Sequence, residues 1–360
     1  MKEGFVMKMD EKVQEILKQY AVDGILISNG CNIRYLSGFA GETGYLFITE
    51  DRKVILTDFR YTIQAENESN GYEVFEIDGS YEEAINLLIK EENVESLAFE
   101  GMDVLYADYE KLKENLTVKR LIPIKNEVSM LRAIKQPWEL ERIQRAEKIG
   151  DLAFEKILND IKPGMTELEV AAKLEYYMKA NGAQGLSFDT IVASGLNSSM
   201  PHAVPTSKKI EPGDFVTMDF GCRYEGYCSD MTRTIVVGKA TIEQKKIYQL
   251  VLDAQMAVLN FMKAGYTGSE IDNVARKMIY DAGYEGCFGH GLGHSVGLFI
   301  HEEPRLSPKE DKVIEANMIE TVEPGIYIKD FGGVRIEDLV CVTEAGVVNY
   351  TNSEKKLIEL

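Results

Sequence analysis

The amino-acid sequence predicts two domains, an α/β domain over residues 1–125 and an α+β domain over residues 126–360. Three observations predict this arrangement. The chain has 360 residues, which is enough for two domains of ordinary size. Strand-like and helix-like segments alternate in the first part, as is typical of a layered α/β domain. The second part contains an internal repeat, and each copy begins with helices and ends with strands.

The first domain is predicted from short segments that alternate in character. Apolar, strand-like segments are separated by amphipathic helical ones, as expected for helices packed on a sheet. The segment NIRYLSGFAGETGYL is rich in glycine and aromatic residues, and it is predicted to be a loop that either faces the functional site or lies on the surface. The predicted helices are DEKVQEILKQY, YEEAINLLIKEE and DYEKLKENL, and the predicted strands are DGILISN, the two halves of GYLFITEDRKVILTDFR, ESLAFEG and VKRLIPI.

The second domain is predicted to begin between Lys125 and Pro137, because proline suits the first position of a helix. A helical pattern follows from Glu139 to Asp160. After the turn KPGMT, a second helix is predicted from Glu167 to Ala180, where Asn181-Gly182 ends it.

The repeat in the second domain matches two pairs of segments. In its register Asp219 falls on Glu323, so each half supplies a carboxylate at the same place. Two such halves, related by a pseudo-two-fold axis, would direct equivalent strands into one cleft. Chance similarity between two helical hairpins is the alternative. The matched segments are IKPGMTELEVAAKLEYYMKANG (from residue 161) with MKAGYTGSEIDNVARKMIYDAG (from residue 262), and IEPGDFVTMDFG (from residue 210) with IEANMIETVEPG (from residue 314).

Composition and charge exclude several classes of function. The formal net charge of −19 disfavours nucleic acids and anionic membranes, because both need clustered lysine and arginine. The polar N-terminus does not resemble a signal peptide, and no apolar run approaches the roughly 18 residues of a membrane span. The number of cysteines is odd, and they form no CxxC spacing, which predicts reduced thiols and a cytoplasmic protein. The cysteines are Cys31, Cys222, Cys228, Cys287 and Cys341.

Five residues in the second domain predict a metal centre. Four of them are acidic residues in apolar, strand-like segments, where a lone carboxylate is costly to bury unless a cation meets it. An oxygen-rich set suits hard divalent ions such as Mn²⁺ or Co²⁺, and four carboxylates suit two ions about 3.5–4 Å apart. Each residue alone has an ordinary structural explanation, and only the combination is specific. The five residues are Asp219 in MDFG, Asp230 in SDMTRT, His294 in GHGLGHSVGL, Glu323 in TVEPG and Glu337 in GVRIEDLV.

Three segments resemble the signature segments of the Xaa-Pro peptidases, which comprise prolidase and aminopeptidase P among the pita-bread metallopeptidases. The segments are MDFG…SDMTRT, GHGLGHSVGLFIHEEP and TVEPG…GVRIEDLV. The resemblance covers essentially the whole chain. It implies an N-terminal α/β domain of the creatinase/prolidase type and an α+β pita-bread catalytic domain with an internal pseudo-two-fold repeat.

The resemblance also implies the activity and the cofactors. The expected reaction is hydrolysis of the bond between an N-terminal residue and proline, so the expected partners are peptides with proline at the second position. Two divalent ions are expected, with manganese preferred and cobalt or zinc as alternatives. A homodimer is expected, with no nucleic-acid or membrane partner.

The resemblance further implies a role for each ligand. Asp219 would bind one ion, and His294 and Glu323 the other. Asp230 and Glu337 would bridge the two ions.

Other residues would take part in the chemistry according to the same resemblance. His202, in MPHAVP, would relay protons and contact the substrate. His290 and His301 would line the region of the proline and the scissile carbonyl. Arg335 would orient a bridging carboxylate, and Glu323 would also be the general base.

Three alternatives remain open at this point. A non-catalytic binding protein could keep this fold, although such relatives usually lose ligands. A methionine aminopeptidase shares a similar five-ligand set, yet typically lacks such an N-terminal domain and the HxxGLxxHE run from His294 to Glu302. An Xaa-Pro peptidase could act on dipeptides alone or on longer chains, which the sequence does not decide.

Overall fold

The computed structural model describes the backbone of residues 2–360 and the side chains of residues 9–360. The chain divides after Arg132 into two compact units. The division predicted after residue 125 falls shortly before this point, ahead of a short helix. None of the helices in residues 2–360 is long and apolar enough to cross a membrane.

The first unit is built on a six-stranded mixed sheet with strand order β4-β3-β2-β1-β5-β6. Strands β1, β5 and β6 are parallel, whereas β2 is antiparallel to both of its neighbours. Its helices are α1 (Lys2–Tyr20), α2 (Gly30–Ser37), α3 (Thr62–Glu68), α4 (Tyr81–Glu91), α5 (Tyr106–Asn115) and α6 (Glu127–Met130). Its strands are β1 (Gly24–Ile27), β2 (Tyr45–Thr49), β3 (Lys53–Thr57), β4 (Glu73–Glu76), β5 (Ser96–Glu100) and β6 (Arg120–Ile124).

The predicted helices and strands of the first unit are present, but the predicted glycine-rich loop is partly wrong. Part of that segment forms α2, which Asn29 caps by accepting hydrogen bonds from the backbone amides of Cys31 and Asn32. The helix buries Tyr35 and ends at Gly38, whose φ of 89° is favourable for glycine. The loop prediction failed because Asn29, which caps the helix, lies before Asn32, the first residue of the glycine-rich segment.

The second unit contains four long helices and several antiparallel sheets. Its helices are α7 (Pro137–Ile157), α8 (Glu167–Ala180), α9 (Ile242–Phe261) and α10 (Gly268–Asp281), with a 3₁₀ turn at Gly195–Ser199. Its strands are β7 (Gly185–Leu186), β8 (Ile191–Ser194), β9 (Phe215–Phe220), β10 (Cys222–Tyr224), β11 (Tyr227–Cys228), β12 (Met231–Val236), β13 (Gly293–Ser295), β14 (Glu302–Leu306), β15 (Ile319–Val322), β16 (Gly325–Ile328), β17 (Gly332–Arg335), β18 (Asp338–Val342) and β19 (Val347–Asn349).

The internal repeat is confirmed by matched local structure. Helices α8 and α10 both begin with a threonine and a glutamate three residues later that form a reciprocal capping box. Before each helix a glycine with positive φ donates its amide to an equivalent isoleucine carbonyl at 2.9 Å, Gly164 to Ile210 and Gly265 to Ile314. These are the positions that the sequence repeat aligned, so the two halves have the same fold.

Two antiparallel sheets carry the functional residues. One has the order β12-β9-β8, and the other has the order β14-β13-β15-β18-β19. In the first sheet β9 pairs with β12, and in the second β15 pairs with β18. The inner faces are apolar; the core of the first half includes Ile149, Val216 and Ile235, each fully buried. Buried apolar packing of this kind fixes the register of the strands, and the register decides which side chains meet.

Candidate metal centre and active site

The four acidic residues predicted as ligands lie on or beside the two central strand pairs. Asp219 is on β9, directly opposite Thr232 of β12, and Asp230 immediately precedes β12. Glu323 immediately follows β15, and Glu337 immediately precedes β18. Each half of the repeat therefore delivers one carboxylate from each strand of a pair.

Three of these carboxylates form a tight cluster. One oxygen each from Asp219, Asp230 and Glu337 lie within 4.8 Å of one another. Asp230 is 5% exposed and Glu337 is 2% exposed. The Oδ1 atom of Asp219 is buried and has no hydrogen-bond partner. Buried carboxylates at this spacing repel one another unless a cation or a proton offsets their charge.

His294 and Glu323 extend this cluster. His294 Nε2 lies 3.5 Å from Asp230 Oδ2 and 3.7 Å from Glu323 Oε1. His294 Nδ1 is 3.1 Å from the carbonyl oxygen of Ser295, which can only accept, so Nδ1 donates the hydrogen bond. The lone pair of the neutral ring is then on Nε2, the nitrogen that faces the carboxylates.

Burial and charge shift the pKa values of these groups strongly. Burial, together with the charge of Glu337, raises the pKa of Asp230 well above its usual range. Burial, together with the charge of Glu323, likewise raises the pKa of Glu337. Burial raises the pKa of Glu323 to about 8 and lowers that of His294 to about 3. In the absence of a cation, the site thus favours neutral side chains, which is the electrostatic signature of a cation site.

These residues fit divalent metal ions. The orphaned oxygen of Asp219 and the imidazole nitrogen of His294 both point into a set of carboxylates. Four carboxylates and one imidazole are the donor set of hard or borderline divalent ions such as Mn²⁺, Co²⁺ or Zn²⁺. No cysteine belongs to the acidic cluster found among the described residues, which differs from a structural zinc site.

Arg335 connects the carboxylates to the surrounding structure. Its Nη2 donates to Asp219 Oδ2 at 2.6 Å, and its Nε donates to Thr232 Oγ1 at 3.0 Å. The Thr232 hydroxyl in turn donates to Glu337 Oε2 at 2.6 Å. Arg335 was predicted to orient a bridging carboxylate. Its direct carboxylate contact is with Asp219, and it reaches Glu337, one of the two predicted bridging residues, through Thr232.

His290 has both ring nitrogens occupied. Its Nδ1 lies 2.8 Å from the carbonyl oxygen of Gly291, and its Nε2 lies 2.9 Å from the hydroxyl of Tyr327. Tyr327 also accepts a hydrogen bond from Arg335 Nη1 at 2.7 Å. Burial lowers the pKa of His290 to about 4, so its ring is neutral. The Tyr327 hydroxyl therefore donates to Nε2, and the ring of His290 is held rigidly beside the cavity.

All nine residues predicted from the sequence border one cavity of about 520 Å³. His202 and His301 are exposed at this cavity, and the ring of His301 packs edge-on against His294 with centroids 4.6 Å apart. Burial, with the nearby charge of Arg305, lowers the pKa of His301. The nine residues are His202, Asp219, Asp230, His290, His294, His301, Glu323, Arg335 and Glu337.

Some residues at the cavity were missed by sequence reasoning. Arg305 also borders the cavity, and its side chain is 52% exposed, 3.5 Å from Glu303. In the sequence, Arg305 could have been recognised as a positive charge directly after the acidic segment HEEP. Thr232 and Tyr327 were also missed, because nothing in a hydroxyl-bearing strand residue reveals its partner before the strands are paired.

Two similar halves that bring four carboxylates and a histidine to one cavity define a metal-dependent hydrolytic enzyme with the pita-bread fold. The chain belongs to metallopeptidase family M24, whose pattern matches residues 141–344. Residues 11–134 match the creatinase/prolidase N-terminal domain. The resemblance seen in the sequence, including both domain types, is confirmed.

Individual relatives align over nearly the whole chain. A solved structure described as an Xaa-Pro dipeptidase from Bacillus anthracis is 44% identical, with a TM-score of 0.97 over 99% of this chain and 100% of that one. An X-Pro aminopeptidase structure from Thermotoga maritima is 37% identical, with a TM-score of 0.89 over 94% of this chain and 98% of that one. An Xaa-Pro dipeptidase sequence from Pyrococcus horikoshii is 39% identical over 97% of this chain and 99% of its own length.

Proposed function

We propose that this metallopeptidase uses two divalent ions to hydrolyse the bond between an N-terminal residue and proline. The observation that carries the proposal is the central position of Asp230. Its carboxylate belongs to the cluster with Asp219 and Glu337 and also lies 3.5 Å from His294 Nε2. A ligand that bridges two ions must lie close to the residues that hold each of them, and Asp230 lies close to both sets. In this proposal Asp219 binds one ion, and His294 and Glu323 bind the other.

The chemistry of the cleavage is divided between the ions and the side chains. Two divalent ions at such a site supply Lewis-acid chemistry and lower the pKa of coordinated water towards neutrality. Glu323, at the inner wall of the cavity, is the proposed general base that accepts a proton and passes it to the leaving nitrogen of proline. A nitrogen that leaves an amide must take up a proton, and the proline nitrogen carries no hydrogen of its own in the peptide.

The exposed histidines are proposed to handle the substrate. His301 reaches the cavity next to His294, so its ring can donate to the oxyanion that forms on the scissile carbonyl. His202 lies at the opening, where it can relay protons and contact the substrate. His290 uses both ring nitrogens within the protein, and we propose that it contributes an apolar ring face to the proline pocket.

The positive charge of Arg305 favours dipeptides over longer peptides as substrates. Its half-exposed guanidinium borders a cavity whose inner wall is dominated by carboxylates. A dipeptide places its free carboxylate one residue beyond the scissile bond, and arginine recognises a carboxylate well. We therefore propose that Xaa-Pro dipeptides are cleaved faster than Xaa-Pro-Xaa peptides.

The decisive experiment combines metal loading with substrate length. Metal-free protein is reloaded with Mn²⁺, Co²⁺ or Zn²⁺ and assayed with Met-Pro, Met-Pro-amide and Met-Pro-Ala. We expect two ions per chain, the highest activity with Mn²⁺ and a preference for Met-Pro. In Arg305→Gln the preference for Met-Pro over Met-Pro-amide should fall by about 10-fold, the value of a charged hydrogen bond.

Two results would overturn the proposal in different ways. Protein that binds two ions but cleaves none of the three substrates would point to the non-catalytic binding protein. Cleavage of Met-Ala-Ser but not of Met-Pro would point to a methionine aminopeptidase. The preference for manganese, the cytoplasmic location and the homodimer stay predictions from the sequence and its resemblance.

A further inference from the structure

A row of polar side chains lies behind the strand that carries His294. Ser295 of β13 is paired directly with Glu302 of β14 on one side and with Glu320 of β15 on the other. Directly paired residues of antiparallel strands point to the same face of a sheet. His294 is the next residue along β13 and faces the carboxylates of the cavity. The row therefore occupies the side of the sheet away from the proposed metal centre.

A buried lysine lies over this row. The Nζ atom of Lys135 donates to Ser295 Oγ at 3.0 Å and to Glu302 Oε2 at 3.3 Å. The side chain of Lys135 is 1% exposed, and that of Glu302 is 3% exposed. The backbone amide of Lys135 also donates to the carbonyl oxygen of Asn317 at 2.9 Å. The lysine thus joins the segment before α7 to strands in the second half of the repeat. Both belong to the second unit, the catalytic unit (residues 133–360).

Each partner of Lys135 holds a part of the segment that bears the cavity histidines. Ser295 supplies the carbonyl oxygen that accepts from His294 Nδ1. Glu302 Oε1 accepts from the backbone amide of Phe299 at 3.2 Å. The other oxygen of Glu302 packs so closely on Gly297 that a Cβ atom there would lie 2.4 Å from it. The carboxylate of Glu302 therefore fixes the turn between His294 and His301.

The same turn reaches the first half of the repeat. The carbonyl oxygen of Gly297 accepts from the backbone amide of Cys228 at 2.8 Å. Cys228 lies two residues before Asp230. A displacement of the turn would consequently affect both His294 and the segment that contains Cys228 and Asp230.

We propose that Lys135 and Glu302 form a positioning pair that sets the affinity of the metal centre by fixing His294. The inference rests on the metal centre proposed above, and it assigns no contact with substrate to either residue. A buried ion pair is strongly destabilised when one partner is removed, because the remaining charge is left uncompensated. Removing both charges at once leaves neither partner of the pair as an uncompensated charge. The double substitution is therefore expected to be less harmful than either single one.

The test measures metal binding by the metal-free protein and does not depend on catalysis. Calorimetric titration with Mn²⁺ is carried out on wild type, Lys135→Met, Glu302→Gln and the double variant. Loss of an outer contact of a metal-ligating histidine typically weakens metal affinity about 10–100-fold. We expect that loss for each single variant, and at least about 10-fold recovery in the double variant. Lys135→Arg keeps the charge and should remain close to wild type.

A matched control is available in the same unit. Lys208 also donates to a serine hydroxyl and a carboxylate, Ser194 at 3.0 Å and Asp214 at 2.7 Å, but touches none of the cavity histidines. Lys208→Met should bind Mn²⁺ with wild-type affinity. If Lys135→Met does not fold, the nearly isosteric Glu302→Gln carries the test, with folding verified by circular dichroism.

The outcomes separate this inference from the proposed metal centre. If wild type does not bind Mn²⁺, the metal centre itself is wrong, and so is the role of the pair. If wild type binds two ions and both single variants bind them with unchanged affinity while unfolding at lower temperature, the pair is merely structural. If the affinity of the double variant for Mn²⁺ falls by the product of the two single losses, the two residues do not act as a pair and the inference is wrong.

Discussion

The two halves of the catalytic unit share a frame but differ in the chemistry that they carry. In both halves a helical hairpin leads to a strand pair that presents one acidic residue from each strand. The first half supplies Asp219 and Asp230, and the second half supplies the longer Glu323 and Glu337. The frame thus explains why the carboxylates come in pairs. It does not explain the histidines, which are distributed unequally.

The histidines come mainly from one segment of the second half. Between α10 and β15 the second half contains β13 and β14, and this segment carries His290, His294 and His301. The first half offers only His202, on a loop after the 3₁₀ turn. The comparison teaches that the repeated strand pairs bring the acidic residues together. His294 lies on β13, which pairs with β15 as β8 pairs with β9 in the first half, but only β13 carries a histidine. The second half also adds β14 and the turn that the Lys135 pair supports.

A second difference lies within the repeated strands. Glu320 of β15 aligns with Val216 of β9, and both are fully buried. Neither oxygen of Glu320 has a hydrogen-bond partner. Burial raises the pKa of Glu320 well above its ordinary value, so burial disfavours its charged form. The second half therefore carries an unfavourable buried group where the first half carries an apolar one.

The largest expected effect comes from Asp230, the proposed bridging ligand. Asp230→Asn should lose at least one ion and at least about 10³-fold in kcat/KM, equivalent to about 4 kcal/mol of transition-state stabilisation. His294→Ala should lose one ion only, because the cluster of carboxylates remains. Metal content by atomic emission and kcat/KM on Met-Pro measure both. Wild-type turnover by Asp230→Asn would contradict the bridging role.

The second-largest loss of activity is expected when the hydrogen bond between the two halves is removed. Arg335 of the second half donates to Asp219 of the first, so Arg335→Gln should reduce kcat/KM about 10–100-fold while the fold is retained. Arg335→Lys keeps the charge but cannot reproduce the several directed bonds, and it should recover only part of the loss. Steady-state kinetics and circular dichroism of the two variants check this. Equal activity of both variants and wild type would show that Asp219 needs no such partner.

A smaller effect, on stability, is expected when the buried glutamate of the second half is replaced by valine, the residue at the matching position of the first half. Glu320→Val should stabilise the catalytic unit, and the gain should grow with pH. The ordinary pKa is 4.5 and the folded value is higher, so below about pH 4.5 both states are protonated and the substitution removes no electrostatic cost. Above that value the cost in wild type rises by up to about 1.4 kcal/mol per pH unit until the folded pKa is reached.

This prediction is measured by urea unfolding at pH 5 and pH 8. Glu320→Gln is the control, since it removes the charge with almost no change in volume and should show the same pH dependence. A gain of the same size at both pH values would mean that packing, rather than the carboxyl proton, makes the difference.

The smallest effect tests the equivalence of the two frames. Thr166→Ala and Thr267→Ala each remove the capping hydroxyl of a matched helix, and each should cost about 1 kcal/mol in the free energy of unfolding. The fluorescence of Trp138, the single tryptophan, reports unfolding of this unit. Two costs that differ by more than about 1 kcal/mol would show that the halves are equivalent in shape but not in stability.

The sequence by itself determined the family, the repeat and the nine residues at the cavity. Helix α8 was predicted with its observed ends, because Thr166, Glu169 and Gly182 give local signals at both termini. The acidic residues were recognisable only in combination, since each one alone has an ordinary structural explanation, whereas four carboxylates are costly to bury together without a cation. Signals of this kind are contained in a few neighbouring residues, and a single sequence exposes them.

Only the tertiary structure decided which side chains touch. The bond from Arg335 to Asp219, the bond between Tyr327 and His290, and the bond from Lys135 to Ser295 behind His294 all join residues far apart in the chain. Such contacts depend on strand register and on the packing of the two halves against each other. A register change of one residue would turn every side chain of a strand to the opposite face, so no local pattern could have specified them.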